Sequence, residues 1–186
     1  MGRDEMIEPW YIAVEPFDPS FGDNWANYMA GTELPQLEEV VSLDASLCPS
    51  VIGELEGEDW EHNVHEDGLI DFFRDLDHLL ERVRDLSPVN ILAAVLSPAQ
   101  ECRGLFADSR FGFKGYDLIG LGMSALTNCG GFPLAFQNAE LSRVGLISTL
   151  SRAQEVAGSL REHYANDNHA DCEILALWKM VSGARA

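Results

Sequence analysis

Hydrophobic and polar residues follow two different periods along this chain, and each period predicts one type of secondary structure. Alternation with a period of two, or a short apolar run between breakers, is typical of a β-strand. Trp10, Ile12 and Val14 share one face in this way, and Pro16 closes the run. The same reasoning predicts strands at residues 10–15, 37–43, 89–96, 111–121, 123–129 and 172–180.

Apolar residues at helical spacing predict amphipathic helices elsewhere. Two long helices are predicted in this way, at residues 69–86 and 148–164. Asp44 or Ser46 is expected to cap a short helix, and Ser97 with Gln100 forms a capping box for another that ends near Phe106. Loops are predicted at residues 18–35, 54–67 and 132–145.

The order of these elements predicts the fold class. Few of the strands are joined to the next one by a helix, so a strictly parallel sheet does not fit. The pattern favours an α+β fold with a single mixed, mainly antiparallel sheet and helices packed on it. The length of 186 residues fits one domain over 1–186.

Charge is distributed very unevenly along the chain. The first 85 residues hold 22 of the 31 Asp and Glu residues and 4 of the 12 Lys and Arg residues, a net charge of −18, which leaves −1 for residues 86–186. Such a surface repels nucleic acids and anionic membranes, because both require clustered Lys and Arg. It attracts a basic protein partner and speeds the encounter with it.

The loop at residues 54–67 is the strongest candidate for partner binding. It carries seven acidic residues and no Lys or Arg. A tryptophan anchor supplies affinity at an interface, and charges around it steer the approach of a partner. The predicted partner-binding residues are Glu54, Glu56, Glu58, Asp59, Trp60 and Glu61.

A glycine-rich stretch follows the apolar run that ends at Leu121. Gly120, Gly122 and Ala125 match the spacing of a dinucleotide-binding loop. That site needs a long helix next, and the breaker at Gly130 comes too soon for one. We therefore interpret the stretch as a glycine-rich connection between strands. The chain also has no P-loop motif, and Ser124 lacks the second glycine of a nucleophile elbow.

Histidine and cysteine residues offer an alternative reading, as an enzyme or a metal-binding protein. His62 and His65 are close in sequence, but their order differs from that of zinc proteases. Cys129, His169 and Cys172 are better candidates, either as metal ligands or as a cysteine nucleophile with a histidine base that Asp171 orients. Their wide spacing favours buried free thiols instead. We therefore predict no catalytic site, no bound metal and no cofactor.

The expected compartment follows from segments that the sequence lacks. No apolar run approaches the ~20 residues that span a bilayer, and residues 1–8 carry four charges and no apolar core of a signal peptide. Four widely spaced cysteines without a paired motif fit free thiols in a reducing compartment. A cytoplasmic location is expected.

Several short pieces of the chain resemble those of a group of small acidic bacterial proteins. These pieces are SALTNCGGF at 124–132, Gly145 to Ile147, His169 with Cys172 and Trp178, Trp10 to Ile12, and Leu34 to Leu37. That group has no assigned activity, so the resemblance implies no catalytic residue. In size and acidity the chain is also similar to the immunity proteins that neutralise bacterial toxins. That resemblance implies an inhibitor that binds a basic toxin.

Overall fold

One antiparallel sheet forms the framework of the protein. The structure, a computed structural model, describes residues 7–52, 72–128 and 131–181. The strands in these ranges are β1 (Trp10–Val14), β2 (Asn90–Leu96), β3 (Phe111–Gly120), β4 (Met123–Ser124) and β5 (Glu173–Met180). They lie side by side in the order β1-β2-β5-β3-β4, and each neighbouring pair is antiparallel.

Helices pack on this sheet, which confirms the α+β fold expected from the pattern. The α-helices in the described ranges are α1 (Asp23–Gly31), α2 (Leu76–Arg82) and α3 (Leu150–His163), with short 3-10 helices at Pro19–Phe21 and Asn138–Glu140. α3 packs against β3 and β5, and α2 packs against β1. Within the described ranges, none of these helices has the length and apolar character that crossing a membrane requires.

The centre of the sheet is β5, which pairs with β2 on one side and β3 on the other. Its residues Leu175 to Trp178 are all buried, because both faces of the strand are covered. A short apolar run without alternation is what such a position requires. β2 has the same character from Asn90 to Ala94, so the prediction of a covered inner strand at residues 89–96 is confirmed.

Different segments cover the two faces of the sheet. Asp117 and Lys179 lie on one face, where they bind Ser42 and Glu39 of the chain that follows β1. Tyr116 lies on the opposite face, since successive side chains of a strand point to opposite sides. Its hydroxyl donates to Glu101, and Glu101 accepts from the first backbone N–H of α3. The core therefore has two apolar layers with the sheet between them.

The helix predicted at residues 148–164 is confirmed. Thr149 accepts a hydrogen bond from the backbone of Arg152 at 3.4 Å and so caps the helix. The apolar stripe faces the sheet, and its buried members are Leu150, Ala153, Val156, Ala157 and Leu160.

The helix predicted at residues 69–86 is shorter than expected. Asp75 accepts from the backbone N–H groups of Asp77 and His78, and this cap starts α2 at Leu76. The preceding Phe73 is extended instead, because its backbone exchanges two hydrogen bonds of 2.8 Å with Tyr11 at the edge of β1. The apolar stripe thus combines one helix with a segment that protects a sheet edge.

The strand predicted at residues 37–43 is absent, because the backbone of this segment bonds to several separate segments and not to one neighbouring strand. Val40 forms a single bridge with Phe17, while Val41 donates to the carbonyl of Val144. The helix expected after Asp44 is also absent from the described residues 44–52, where Cys48 N donates to Asp44 O in one isolated turn.

The helix predicted after Ser97 is absent as well. Ser97 has a φ of 44°, and its hydroxyl donates to Glu173 rather than capping a helix. The backbone N–H of Cys102 donates to the Tyr116 hydroxyl at 2.9 Å. The backbone N–H of Cys102 is therefore engaged in a tertiary hydrogen bond, whereas in a helix it would donate to a backbone carbonyl.

A tight hairpin occupies the glycine-rich stretch. Leu121 and Gly122 form a two-residue turn between β3 and β4, with φ values of 49° and 76°. Both central residues of this kind of turn need positive φ, which glycine adopts most easily. Because β4 follows directly, the interpretation as a strand connection is confirmed. β4 ends at Ser124, so the strand predicted to reach residue 129 is much shorter in its described part.

Candidate functional site

The predicted partner-binding loop lies outside the described residues. This applies to Glu54, Glu56, Glu58, Asp59, Trp60 and Glu61, to His62 and His65, and to Cys129. These residues remain predictions from the sequence. The described residues nevertheless show how the rest of the acidic half is arranged.

An acidic layer, defined here as residues 15–52, covers the Asp117 face of the sheet. It contains seven carboxylates and no Lys, Arg or His. Two of the carboxylates meet a cation from elsewhere in the chain: Glu38 lies 2.6 Å from Arg143, and Glu39 pairs with Lys179 of β5. These two pairs attach the acidic layer to the rest of the protein.

Four other carboxylates of the acidic layer have no ion pair with any described residue. They are Glu15, Asp18, Asp23 and Glu33. Three are exposed, and Asp18 is half-buried. No cation among the described residues balances these four charges, which makes them available to a partner.

Helix α1 holds this part of the acidic layer in place. Trp25 is buried, and its ring lies 5.5 Å from Phe17 and 6.0 Å from Tyr28. The Tyr28 hydroxyl donates to the carbonyl of Thr127 at 2.8 Å, which ties the helix to the segment after β4. The loop prediction for residues 18–35 is thus wrong over α1. The helical spacing of Phe21, Trp25 and Tyr28 was the signal for it.

The seventh carboxylate, Asp44, is buried and belongs to a polar network beneath the acidic layer. Its oxygens accept hydrogen bonds from Ser46 N at 2.8 Å, Leu47 N at 2.9 Å, Ser124 N at 2.7 Å and Asn128 Nδ2 at 3.1 Å. These donors come from the turn after Ser42 and from the hairpin after β3. Asp44 therefore joins two segments that are distant in sequence.

A second buried carboxylate, Asp117 of β3, completes the network. The hydroxyl of Ser42 donates to it at 2.5 Å, and the hydroxyl of Ser124 donates at 2.7 Å. The side chain is fully buried, and this burial raises its pKa to about 6, although hydrogen bonds from both serines oppose the rise. Because neither serine is accessible, the network stabilises the fold and offers no surface to a substrate.

The two described residues of the histidine–cysteine candidate, His169 and Cys172, have different surroundings. His169 is buried, with Nδ1 2.7 Å from Asp167 and its ring 5.4 Å from Phe132. The residue that orients His169 is therefore Asp167, and the expectation for Asp171 is wrong. Asp171 is almost fully exposed, 3.8 Å from Arg161.

Cys172 has the character of a packed core residue. It is buried, and this burial raises the pKa of its thiol to about 11. Since the thiolate is the form that binds metals and attacks carbonyl groups, such a thiol suits neither role. Among the residues that the structure describes, no three His, Cys, Asp or Glu side chains form a group that could hold a metal ion.

Comparison with known proteins adds no relative to this description. No protein-family model, no curated protein and no solved structure matches the chain. The acidic layer is therefore the candidate functional site that the described residues themselves support.

Proposed function

We propose that the protein is a protein-binding module, an immunity-type inhibitor of a basic partner such as a toxin. One observation carries this proposal. The acidic layer contains seven carboxylates and no Lys, Arg or His; six of them are exposed or half-buried, and four of these six have no ion pair with a described residue. The predicted loop, which contains Glu56, Glu58 and Asp59, adds further negative charge.

Uncompensated charge of this kind favours association with a cation-rich surface. Like charges in one region repel each other and lower the stability of the folded protein, and salt screens this repulsion over about 8–10 Å. A basic partner replaces that repulsion with attraction. Its approach is steered over the same distance, which raises the association rate by about 10-fold or more at low salt.

The partner class follows from the same chemistry. Toxins that cleave nucleic acids need clustered Lys and Arg to bind phosphate groups. An acidic protein presents carboxylates to those side chains and blocks their access to the phosphates. The observed mix of an acidic face and a well-packed core, with no metal-ligand group among the described residues, suits such an inhibitor.

The experiment uses a purified basic nuclease toxin as the partner. Its association rate is measured with the wild type and with the variant Glu56→Lys, Glu58→Lys, Asp59→Lys, at about 0.05 M and about 0.5 M salt. A second variant, Glu15→Lys with Asp23→Lys, tests the acidic layer. Both variants should slow association at low salt, and the loss should shrink at high salt.

A matched control separates local charge from total charge. Glu162→Lys with Asp171→Lys changes the net charge by the same amount as the acidic-layer variant, at exposed positions at the end of α3 and beyond it. This control should retain most of the association rate. An association rate that neither test variant changes at low salt would contradict the proposal and leave the acidity as a solubility feature.

A further inference from the structure

A cleft at the border of the acidic layer has an unusual set of polar groups. Its volume is about 440 Å³, within the usual range for binding pockets. One side is formed by Glu33, Pro35 and Gln36, and the other by residues 131–133 and 136–139. The cleft therefore lies between two segments about a hundred positions apart in the chain.

Two amide side chains in the cleft each use one N–H donor to bond a backbone carbonyl across it. Gln36 Nε2 donates to the carbonyl of Asn138 at 2.8 Å, and Asn138 Nδ2 donates to the carbonyl of Glu33 at 3.1 Å. Because a backbone carbonyl only accepts, these contacts fix which end of each amide is the nitrogen. The amide oxygens must point elsewhere.

The acceptors of this group are all available to a ligand. No described residue donates to the amide oxygens of Gln36 and Asn138 or to the carboxylate of Glu33. Asn138 Oδ1 faces Gly131, which also lines the cleft, and a Cβ built on Gly131 would lie 3.9 Å from this oxygen. None of the described residues that line the cleft is Lys, Arg or His. A ligand rich in donors and positively charged matches such a site.

We propose that this cleft binds an arginine side chain of the basic partner, an inference that rests on the proposed function. A guanidinium group has five N–H donors in a plane and no acceptor, so it can serve two amide oxygens and a carboxylate together. Pro35 and Pro133 line the cleft and offer apolar contact to the methylene stem of the side chain. A lysine, with its compact ammonium group, reaches fewer of these acceptors at once.

The test uses the protein labelled with ¹⁵N and three small probes. These are acetyl-Gly-Arg-Gly-amide, the same peptide with lysine, and the same peptide with citrulline, which keeps the shape of arginine but is neutral. The side-chain NH₂ signals of Gln36 and Asn138 are followed by NMR during each titration. The arginine peptide should shift both signals, more strongly than the lysine peptide, and the citrulline peptide should leave them in place.

Two variants that each remove one negative charge test whether the arginine peptide binds in the cleft. Glu33→Gln should weaken binding of the arginine peptide about two- to fivefold, the range expected for an exposed charge pair. Glu15→Gln removes the same charge away from the cleft and should leave the dissociation constant unchanged.

The outcomes separate this inference from the proposed function. Equal shifts with citrulline or lysine would overturn the arginine site, as would shifts confined to the backbone around Asp18 and Asp23. No shift at Gln36 and Asn138 with any probe would overturn it as well. The proposed function depends instead on the association rates of the charge-reversal variants, so it can stand when the cleft fails.

Discussion

Replacing the buried carboxylate Asp117 should change how the stability of the protein depends on pH. In the folded protein, burial raises the pKa of Asp117 from 3.8 to about 6. The folded protein therefore binds more protons than the unfolded chain between these two pH values. The contribution of Asp117 to the free energy of unfolding decreases as the pH rises through this window, and it stays low above it. Asp117→Asn removes the titrating group.

The size of the effect follows from the gap between the two pKa values. A gap from 3.8 to about 6 corresponds to about 3 kcal/mol lost between low and neutral pH, of which about 1.4 kcal/mol falls between pH 5 and pH 7. The amide keeps the shape of the side chain, and the hydroxyls of Ser42 and Ser124 can rotate to accept from its NH₂ group.

Urea unfolding of the wild type and Asp117→Asn, at several pH values between about 4 and about 8, measures this contribution. The difference between the two free energies of unfolding cancels the titration of carboxylates that do not interact with Asp117. The free energy of unfolding of the variant minus that of the wild type should rise by about 1.4 kcal/mol from pH 5 to pH 7, because only the wild type loses this contribution. Asp23→Asn, at an exposed position on α1, controls for the loss of one acidic group.

One result would refute this reasoning. If the difference between wild type and Asp117→Asn is constant across the pH range, the buried carboxyl does not titrate above its ordinary value. A variant that is uniformly less stable would mean that the hydrogen-bond geometry matters and the charge does not.

Three further predictions concern the core. Gly115→Ala should destabilise the protein by at least about 2 kcal/mol in urea unfolding, because a Cβ there would lie 2.6 Å from the backbone oxygen of Ile147 and the φ of 142° disfavours other residues. Gly158→Ala, at an open position on α3, should be neutral or stabilising. Leu160→Ala, at a fully buried position, should cost about 2–5 kcal/mol by the same assay. Peptide mapping after thiol labelling of the native protein at pH 8 should find slow reaction, since burial raises the pKa of three thiols: Cys48, Cys102 and Cys172. Rapid labelling of any of these three would contradict their burial.

Strands and helices with a strong local pattern could be predicted from the sequence alone. β1, β2 and β5 were recognisable because each is a short apolar run bounded by breakers or caps. α3 was recognisable because its apolar residues recur at helical spacing on one face. The uneven distribution of charge is also a property of the sequence, and the proposed function depends on it.

Segments whose backbone bonds to distant partners could not be predicted in this way. Cys102 N binds the Tyr116 hydroxyl, which removes a donor from the helix that the capping box predicted. Phe73 pairs with Tyr11, although its apolar stripe continues the pattern of α2. In both cases a tertiary hydrogen bond outweighs a weak local preference.

The polar network and the cleft were decided by tertiary structure alone. Asp117 lies in an apolar strand, and nothing near it in sequence indicates that Ser42, 75 positions earlier, will donate to it. The cleft depends on a hydrogen bond between Gln36 and Asn138, 102 positions apart. The sequence determines which side chains are polar, but whether their donors are engaged depends on how distant segments meet. That pairing leaves the amide oxygens of the cleft without a described donor.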